Sequence, residues 1–485
     1  MIAKKQKMFI GGKWVDSTSG ESFDDLNPFT GEVYAKVPAG TREDARQAID
    51  AAKAAFPDWA ESPPGMRREI FLKAADIMER RQDELVKAMM EEVGGTIGIS
   101  MFQMGFVPGL YRMAAGAGYD VKGEIIPADH ANSFFMAIRQ PAGVVGCFAP
   151  FNVPYILGSR SFAFPMAYGN TIVLKPSEEA PLTGGLLLAE IFEEAGLPPG
   201  VLNVITSPRE GAPDVGDEMI ANPAVRRVSF TGSTEVGRII AEKAGRHLKR
   251  AVLELGGKDP LIVLGDADLD YAVDAAAWGA FLHQGEICMS TERIIVEKTI
   301  AKQFTEKLKK RAQEMPVGDP TNPATAIGPL INQAAVEKVH SHVQEAVAGG
   351  ANLVTGGQYD NLVYHPTVVS DVDPDMRLFR EQTFGPVAPI VVVKDRDEAL
   401  AVANDSDYGL SAGIITNDFN QALDMALKLE TGMVHINDQT VNDEPQAPFG
   451  GVKGSGYGRF GGNAALDEFT ELRWINVQRT PRTFP

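Results

Sequence analysis

The chain has 485 residues, 44% hydrophobic and 23% charged, a globular-enzyme balance too large for one ordinary core. Its net charge of −18 and pI near 4.9 argue against nucleic acid and anionic membranes as partners. A small anionic cofactor is still allowed, because local backbone dipoles override net charge. The two cysteines cannot build a disulfide framework, and free thiols fit a reducing compartment. The opening MIAKKQKMFIGGKW has no apolar h-region, so no signal peptide is expected. No apolar run reaches the roughly 20 residues that span a bilayer, and a cytoplasmic protein is expected.

Residues 8 to 37 read as short strands and turns, with Asn27-Pro28 and Thr30-Gly31 as turn signals. A helix follows at TREDARQAIDAAKAAF. Thr41 suits its N-cap, Glu43 and Asp44 complement its dipole, and Ala45, Ala48, Ile49, Ala52 and Phe56 share one face. Residues 66 to 93 are expected to be helical up to Gly94-Gly95. Residues 97 to 118 carry Met101, Phe102, Met104, Phe106 and Tyr111, a stripe expected in the core, part of which can line a tunnel. The segment from Lys122 to Gln140 alternates loosely and reads as an extended arm or a surface hairpin.

From Pro141 the pattern becomes strand–helix alternation. GVVGCFAP is an apolar strand, PFNVP a loop carrying Asn152, and 155 to 168 a helix. TIVLKPSE is a strand ending in Lys175 and Glu178, followed by a helix at 182 to 195. VLNVIT, RRVSF and AVLELGG are further strands, and TGSTEVG opens the helix RIIAEKAG. Such alternation predicts a parallel, doubly wound sheet with ligands at the carboxyl ends of its strands. Glu178 is placed to meet an adenosine ribose, and Gly232 to Gly237 can offer helix N-terminal amides to phosphate. A second alternating unit begins after Gly257, with strands at LIVLG, ERIIVE, VAPIVVV, AGIITN and MVHIND and helices at 299 to 315, 333 to 348 and 418 to 430. The glycine-rich run Asp443 to Gly462 is expected to be loop, and 469 to 478 a final strand.

The seven histidines form no HExxH motif and no Cys/His cluster, so no metal is expected. His340 and His342 fall on different helix faces. His283, five residues before Cys288, is assigned to structure. Cys147 lies in an apolar strand and reads as core. Cys288 lies in HQGEICMS beside Gly285, Glu286 and Ser290. A lone cysteine is more often a buried free thiol than a nucleophile, so its interest depends on partners elsewhere.

Those partners are Asn152 in PFNVP and Glu254 in LELGGK. With GEICMS, KPSE and FTGSTEVG, they stand in the order found in the NAD(P)-dependent aldehyde dehydrogenase superfamily, which the chain closely resembles over nearly its whole length. The resemblance implies an α/β fold of two doubly wound parallel-sheet domains with a small β oligomerisation arm. Residues 1–121 and 142–254 would bind the dinucleotide, 255–462 would carry catalysis, and 122–141 with 463–485 would form the arm of a homodimer or homotetramer. It implies Cys288 as nucleophile, Glu254 as general base and Asn152 as oxyanion donor. It implies cofactor contacts from Phe148, Ala149, Pro150 and Phe151, from Lys175, Pro176, Ser177 and Glu178, from Gly232, Ser233 and Gly237, and from Leu255, Gly256, Gln382 and Phe384. Glu254 favours hydrolysis to a free acid over transfer to coenzyme A.

Two positions depart from the family. Gln382 stands where EExFGPV usually has its second glutamate, and Phe460 follows Gly458-Arg459 where many members carry a glutamate. HQGEICMSTERIIV and HINDQTVNDEPQAPFGGVKGSGYGRFGG look most like the benzaldehyde, vanillin and salicylaldehyde dehydrogenase branch. Val153, Tyr155, Leu157, Ile287, Met289 and Phe449 flank the catalytic motifs with apolar or aromatic side chains that suit a ring. Arg160 is open between a ring substituent contact and a buried ion pair. Glu178 favours NAD, with NADP a poorer alternative, because a carboxylate repels the 2′-phosphate. The competing readings are a succinate-semialdehyde or other aliphatic dehydrogenase, which needs a cationic pocket, and a non-catalytic structural relative.

Overall fold

The computed structural model describes residues 6–484. Residues 1–5 and 485, which the expected domain division included, lie outside the described residues. The fold is α/β. Its first sheet has eight strands, and five adjacent ones run parallel in the order Leu202–Val204, Thr171–Pro176, Val144–Ala149, Val225–Thr231 and Arg250–Glu254. Strand order reverses beside Val144–Ala149, which opens a crevice at the carboxyl ends of that strand and of Val225–Thr231. Asn152 and Gly232 therefore stand on opposite lips of one crevice.

The sheet is not purely parallel. Met8–Ile10 and Lys13–Val15 pair antiparallel at one edge of this sheet, whereas Ser22–Leu26 and Val33–Pro38 pair only with each other. Gly456–Tyr457 pairs antiparallel with Arg250–Glu254 at the other edge, although its glycine-rich surroundings read as loop. The second sheet has seven strands and contains Asp259–Val263, Thr291–Glu297, Val387–Val393, Gly413–Ile415 and His435–Ile436 in parallel, with Asn352–Thr355 as an antiparallel edge. Their branched aliphatic side chains are buried on both faces, which produces near-continuous apolar runs.

The helix after Thr41 forms as expected, with a capping box between Thr41 and Asp44, and continues through Pro57 to Glu61. The expected helix at 66 to 93 is two helices, Pro64–Arg80 and Gln82–Val93, broken at Arg81. Five helices among the described residues were not anticipated: Ala212–Ala221, Leu269–Phe281, Arg377–Arg380, Arg396–Asn404 and Ala464–Phe469. The second is rich in alanine, and its solvated face carries Tyr271 and Trp278, so it shows little periodic contrast. Residues 122 to 140 contribute to a separate three-stranded antiparallel sheet. Ser133–Pro141 is the middle strand of three, paired antiparallel with Glu124–Ile126 and along its full length with Thr470–Gln478. Among the described residues no helix is long and apolar enough to cross a membrane.

Three acids gather under the first helices. Asp25, 2% exposed, lies against buried Glu92 near Glu179, and burial with mutual repulsion holds Asp25 well above the usual carboxylate range. Glu92 accepts from the amides of Leu182 at 2.7 Å and Thr183 at 2.8 Å, which favour its ionised form, so the shared proton rests on Asp25. A raised folded pKa means the native state binds more protons than the unfolded chain, so stability falls as pH rises from the ordinary carboxylate range through the raised value. Asp25→Asn should therefore shrink the loss of Tm between pH 5 and pH 9. An unchanged pH slope in thermal unfolding would place the proton elsewhere.

Candidate active site

Cys288 follows a tight turn whose conformation is set by His283, Gln284 and Gly285, at φ 50°, 56° and 74°. All three are left-handed, and a side chain on Gly285 would bring a Cβ within 2.2 Å of the Gly385 carbonyl oxygen. Ser290 closes the turn by donating its hydroxyl to Gly285 O at 3.0 Å. His283 is structural in a specific way: its Nε2 is 2.5 Å from the carbonyl oxygen of Asn152. Burial lowers its pKa to about 4, so the ring is neutral and Nε2 carries the donated proton. This bond ties the nucleophile's turn to the loop that carries Asn152.

Glu254 ends the strand Arg250–Glu254, and its carbonyl accepts from Gly232 N at 3.0 Å. Its carboxyl is buried, and burial raises its pKa to about 7, with the nearby Cys288 thiol and Arg160 pulling it partly back. Neither carboxylate oxygen has a hydrogen bond of good geometry, so the group is poised rather than clamped. The Cys288 thiol is held well above the ordinary thiol range by burial and by the negative charge of Glu254. One proton thus serves the pair, and moving it to Glu254 leaves a thiolate beside a neutral acid. Cys147, by contrast, is fully buried, with its Sγ 3.2 Å from Ser161 O.

Two cavities meet at Cys288. The first, about 370 Å³, is the crevice of the first sheet. Its walls include Pro150, Phe151, Ser177, Glu178, Gly232, Ser233, Leu255, Gly256, Gln382 and Phe384, along with Asn152 and Glu254. Ser233 caps the helix Thr234–Arg246, accepting from Val236 N, so the first-turn amides face the cleft. Gly256 leaves room for Gln382, whose Oε1 would be 2.4 Å from a Cβ there, and Gln382 Nε2 is buried without a partner. Phe384 meets Phe151 edge-on at 6.2 Å across the cleft. A carboxylate, exposed helix amides, an unpaired side-chain amide and an aromatic rim are the donor set that a dinucleotide requires, so the residues present fit that cofactor.

Five expected contacts do not line this cleft. Phe148 packs on Phe230 at 6.1 Å, and Ala149 is buried in the core. Pro176 packs against Gly184 and Gly185, while Gly237 leaves space for Leu255. Lys175 is buried behind the wall, 4.0 Å from Glu178, and donates to Pro176 O at 3.1 Å. Several wall residues were not expected as contacts: Glu179, Arg209, Glu286, Asn332, Lys338 and Thr383. Glu286 sat inside the quoted HQGEICMS, and Glu179 directly follows KPSE. Arg209 and Lys338 are isolated basic residues with no local signal.

The second cavity, about 430 Å³, opens on the other side of Cys288. Val153, Leu157, Arg160, Ile287, Met289 and Phe449 all line it, joined by Phe102, Trp278 and Phe281. Tyr155 does not: it points into the core and donates its hydroxyl to Leu85 O at 3.0 Å, because successive helical residues face different directions. Arg160 is ion-paired with Asp443, and its guanidinium lies 4.2 Å from the Phe449 ring centroid. Of the two readings of Arg160, the buried ion pair is present, and it lines the cavity. The other cationic wall residue, Arg311, is 3.2 Å from Asp274.

A crevice with the donor set of a dinucleotide site and an apolar cavity share one cysteine with a carboxyl at its side, an arrangement that fits cysteine-dependent oxidoreduction in an α/β fold. The chain belongs to the aldehyde dehydrogenase family, whose profile matches residues 14–475. It is an NAD(P)-dependent aldehyde dehydrogenase. It is 46% identical over 478 residues to a vanillin dehydrogenase of Pseudomonas fluorescens, covering 99% of each chain. It is 42% identical over 487 residues to an NAD(+) benzaldehyde dehydrogenase of Pseudomonas putida, again covering 99% of each. The crystal structure of a salicylaldehyde dehydrogenase from Pseudomonas putida G7 in complex with salicylaldehyde superposes with a TM-score of 0.97 at 41% identity, covering 99% of each chain.

Proposed function

We propose that this enzyme oxidises aromatic aldehydes to carboxylic acids, with NAD preferred over NADP. The observation that carries the reading is the cavity on the far side of Cys288: its walls are aromatic and aliphatic, and both of its arginines are paired with carboxylates. An aryl ring is stabilised there by burial and edge contacts. An anionic semialdehyde would meet no free cation, which disfavours the succinate-semialdehyde alternative. The three relatives act, by name, on aldehydes carried on a ring.

Cys288 supplies the nucleophile. Cys288 reacts as its thiolate, the thiol proton being released to solvent, and the sulfur adds to the aldehyde carbon, forming the carbon–sulfur bond of a thiohemiacetal. The side-chain amide of Asn152 and the backbone N–H of Cys288 stabilise the oxyanion, an effect worth about 10²–10³ in rate. The cleft wall from Glu178 to Phe384 would hold NAD, which would supply the hydride acceptor. The thioester left on Cys288 is then cleaved by water that Glu254 deprotonates, which releases the acid and restores the thiol. Glu178 disfavours a 2′-phosphate by charge and so sets the NAD preference.

The cofactor unit is read as 142–254 with the chain up to 121, and the catalytic unit as 255–462. The arm of 122–141 and 463–485 exposes Ile125, Leu472 and Trp474, a sheet face and edge suited to a homodimer or homotetramer. Two reduced thiols fit the cytoplasm. The substrate reading is tested by NADH formation at 340 nm with benzaldehyde, vanillin, succinate semialdehyde and hexanal. The aromatic aldehydes should lead in kcat/KM by tenfold or more, about 1.4 kcal/mol of transition-state binding. A lead for succinate semialdehyde would keep the chemistry and overturn the substrate class.

A further inference from the structure

A buried ion pair ties both catalytic segments to the aromatic rim of the cleft. Lys258 stands four residues beyond Glu254, and Glu292 four beyond Cys288. Their side chains are 0% and 5% exposed, with Lys258 Nζ 2.6 Å from Glu292 Oε2. Glu292 also grips backbone. Its Oε2 accepts from Thr383 N at 2.7 Å and its Oε1 from Phe384 N at 2.8 Å. Lys258 Nζ is also 3.3 Å from the Thr383 hydroxyl, and His342 Nδ1 lies 3.3 Å from that hydroxyl on another side. Arg293 holds the Lys258 carbonyl with its Nε at 3.0 Å.

Two consecutive amides can reach the two oxygens of one carboxylate only where the chain turns sharply. Phe384 makes that turn at φ 58°, a conformation that a bulky residue disfavours and that surrounding contacts must impose. A buried ion pair is a weak source of stability, since desolvation offsets its attraction. Its position is the informative feature. Gln382 and Phe384, on either side of the gripped Thr383, face the cleft. Glu292 is joined through its own strand to Cys288, and Lys258 through its own loop to Glu254.

We propose that Glu292, held by Lys258, is a positioning residue: it sets the rim 382–384 against the bound nicotinamide ring and so fixes that ring relative to Cys288. The proposal rests on the reading of the cleft as the dinucleotide site. In Glu292→Gln an amide nitrogen must face one of the two backbone N–H groups or Lys258, so the grip on the rim is lost. NAD binding to the enzyme without substrate, followed by calorimetry, should weaken by tenfold or more, and dehydrogenase kcat/KM for NAD should fall thirtyfold or more. Hydrolysis of p-nitrophenyl acetate, which uses Cys288 and Glu254 without any cofactor, should fall less than threefold. Equal losses in both reactions would make Glu292 a support of the nucleophile, and no loss in either would make it inert; each overturns the proposal. The double variant Glu292→Gln/Lys258→Met removes the buried lysine charge that the single variant strands, and carries the same readouts should the single variant not fold. Its Tm should recover while NAD affinity does not, whereas recovery of both would show that the pair acts through stability alone. A wild-type enzyme that binds neither NAD nor NADP would remove the dinucleotide reading and this proposal with it.

Discussion

Cys288→Ala is expected to lower dehydrogenase turnover by at least about 10⁴-fold while NAD binding stays within about twofold. Among the described residues, only Leu157 and Cys288 line both cavities, and leucine carries no nucleophile. Cys147 is buried in the strand Val144–Ala149, with its thiol turned to Ser161 O, and cannot replace it. The substitution removes only a sulfur facing the cleft, and the turn survives because Ser290 and His283 hold it through other atoms. The measurements are steady-state NADH formation and calorimetric NAD titration of both proteins. Alkylation by iodoacetamide supplies an independent count: the folded wild type should take up one equivalent and Cys288→Ala none. Turnover of even one part in a hundred would sink the assignment of Cys288. Loss of NAD binding together with turnover would show that the substitution had damaged the cleft.

The residues proposed to be catalytic were legible because each lies inside a short motif whose composition breaks its surroundings. Asn152 interrupts an apolar strand–loop junction, Glu254 ends a buried strand, and Cys288 sits among polar residues in an otherwise apolar region. What positions them was not legible, because the partners are distant in sequence and silent locally. Arg160 and Asp443 are 283 residues apart, and Asn152 and His283 are 131 apart. Glu292 reads as one more charged residue in a strand until the structure shows two backbone amides and Lys258 converging on it. The helix Leu269–Phe281 was missed for a different reason: its solvated face carries Tyr271 and Trp278 beside Asp270 and Asp274, so the polar–apolar contrast that marks helical periodicity is weak. Tyr155 shows the limit of proximity along the chain. It lies between two cavity residues, Val153 and Leu157, yet a helix turns it into the core.

Glu254→Gln is expected to leave one equivalent of NADH per site in a rapid burst and then to slow turnover by about 10²–10⁴-fold. Hydride transfer needs the tetrahedral carbon on Cys288, which forms before water is activated. Hydrolysis of the thioester needs a base, and glutamine at the same place offers none. The wild-type pH profile follows from the same group. Burial raises Glu254 to about 7, so below that pH it is protonated and cannot accept a proton from water. Steady-state turnover should therefore rise through about pH 7 in the wild type, and that limb should be absent in Glu254→Gln. Stopped-flow absorbance at 340 nm separates the two phases. A variant that loses its burst would place Glu254 before hydride transfer, as the acceptor of the Cys288 proton that no other group replaces. The geometry allows that outcome a specific form: the carboxyl faces the thiol, raises its pKa, and has no other hydrogen-bond partner to satisfy. A burst that survives but slows severalfold would then measure how much of the thiol's ionisation depends on Glu254, and the loss of later turnovers would measure its role toward water.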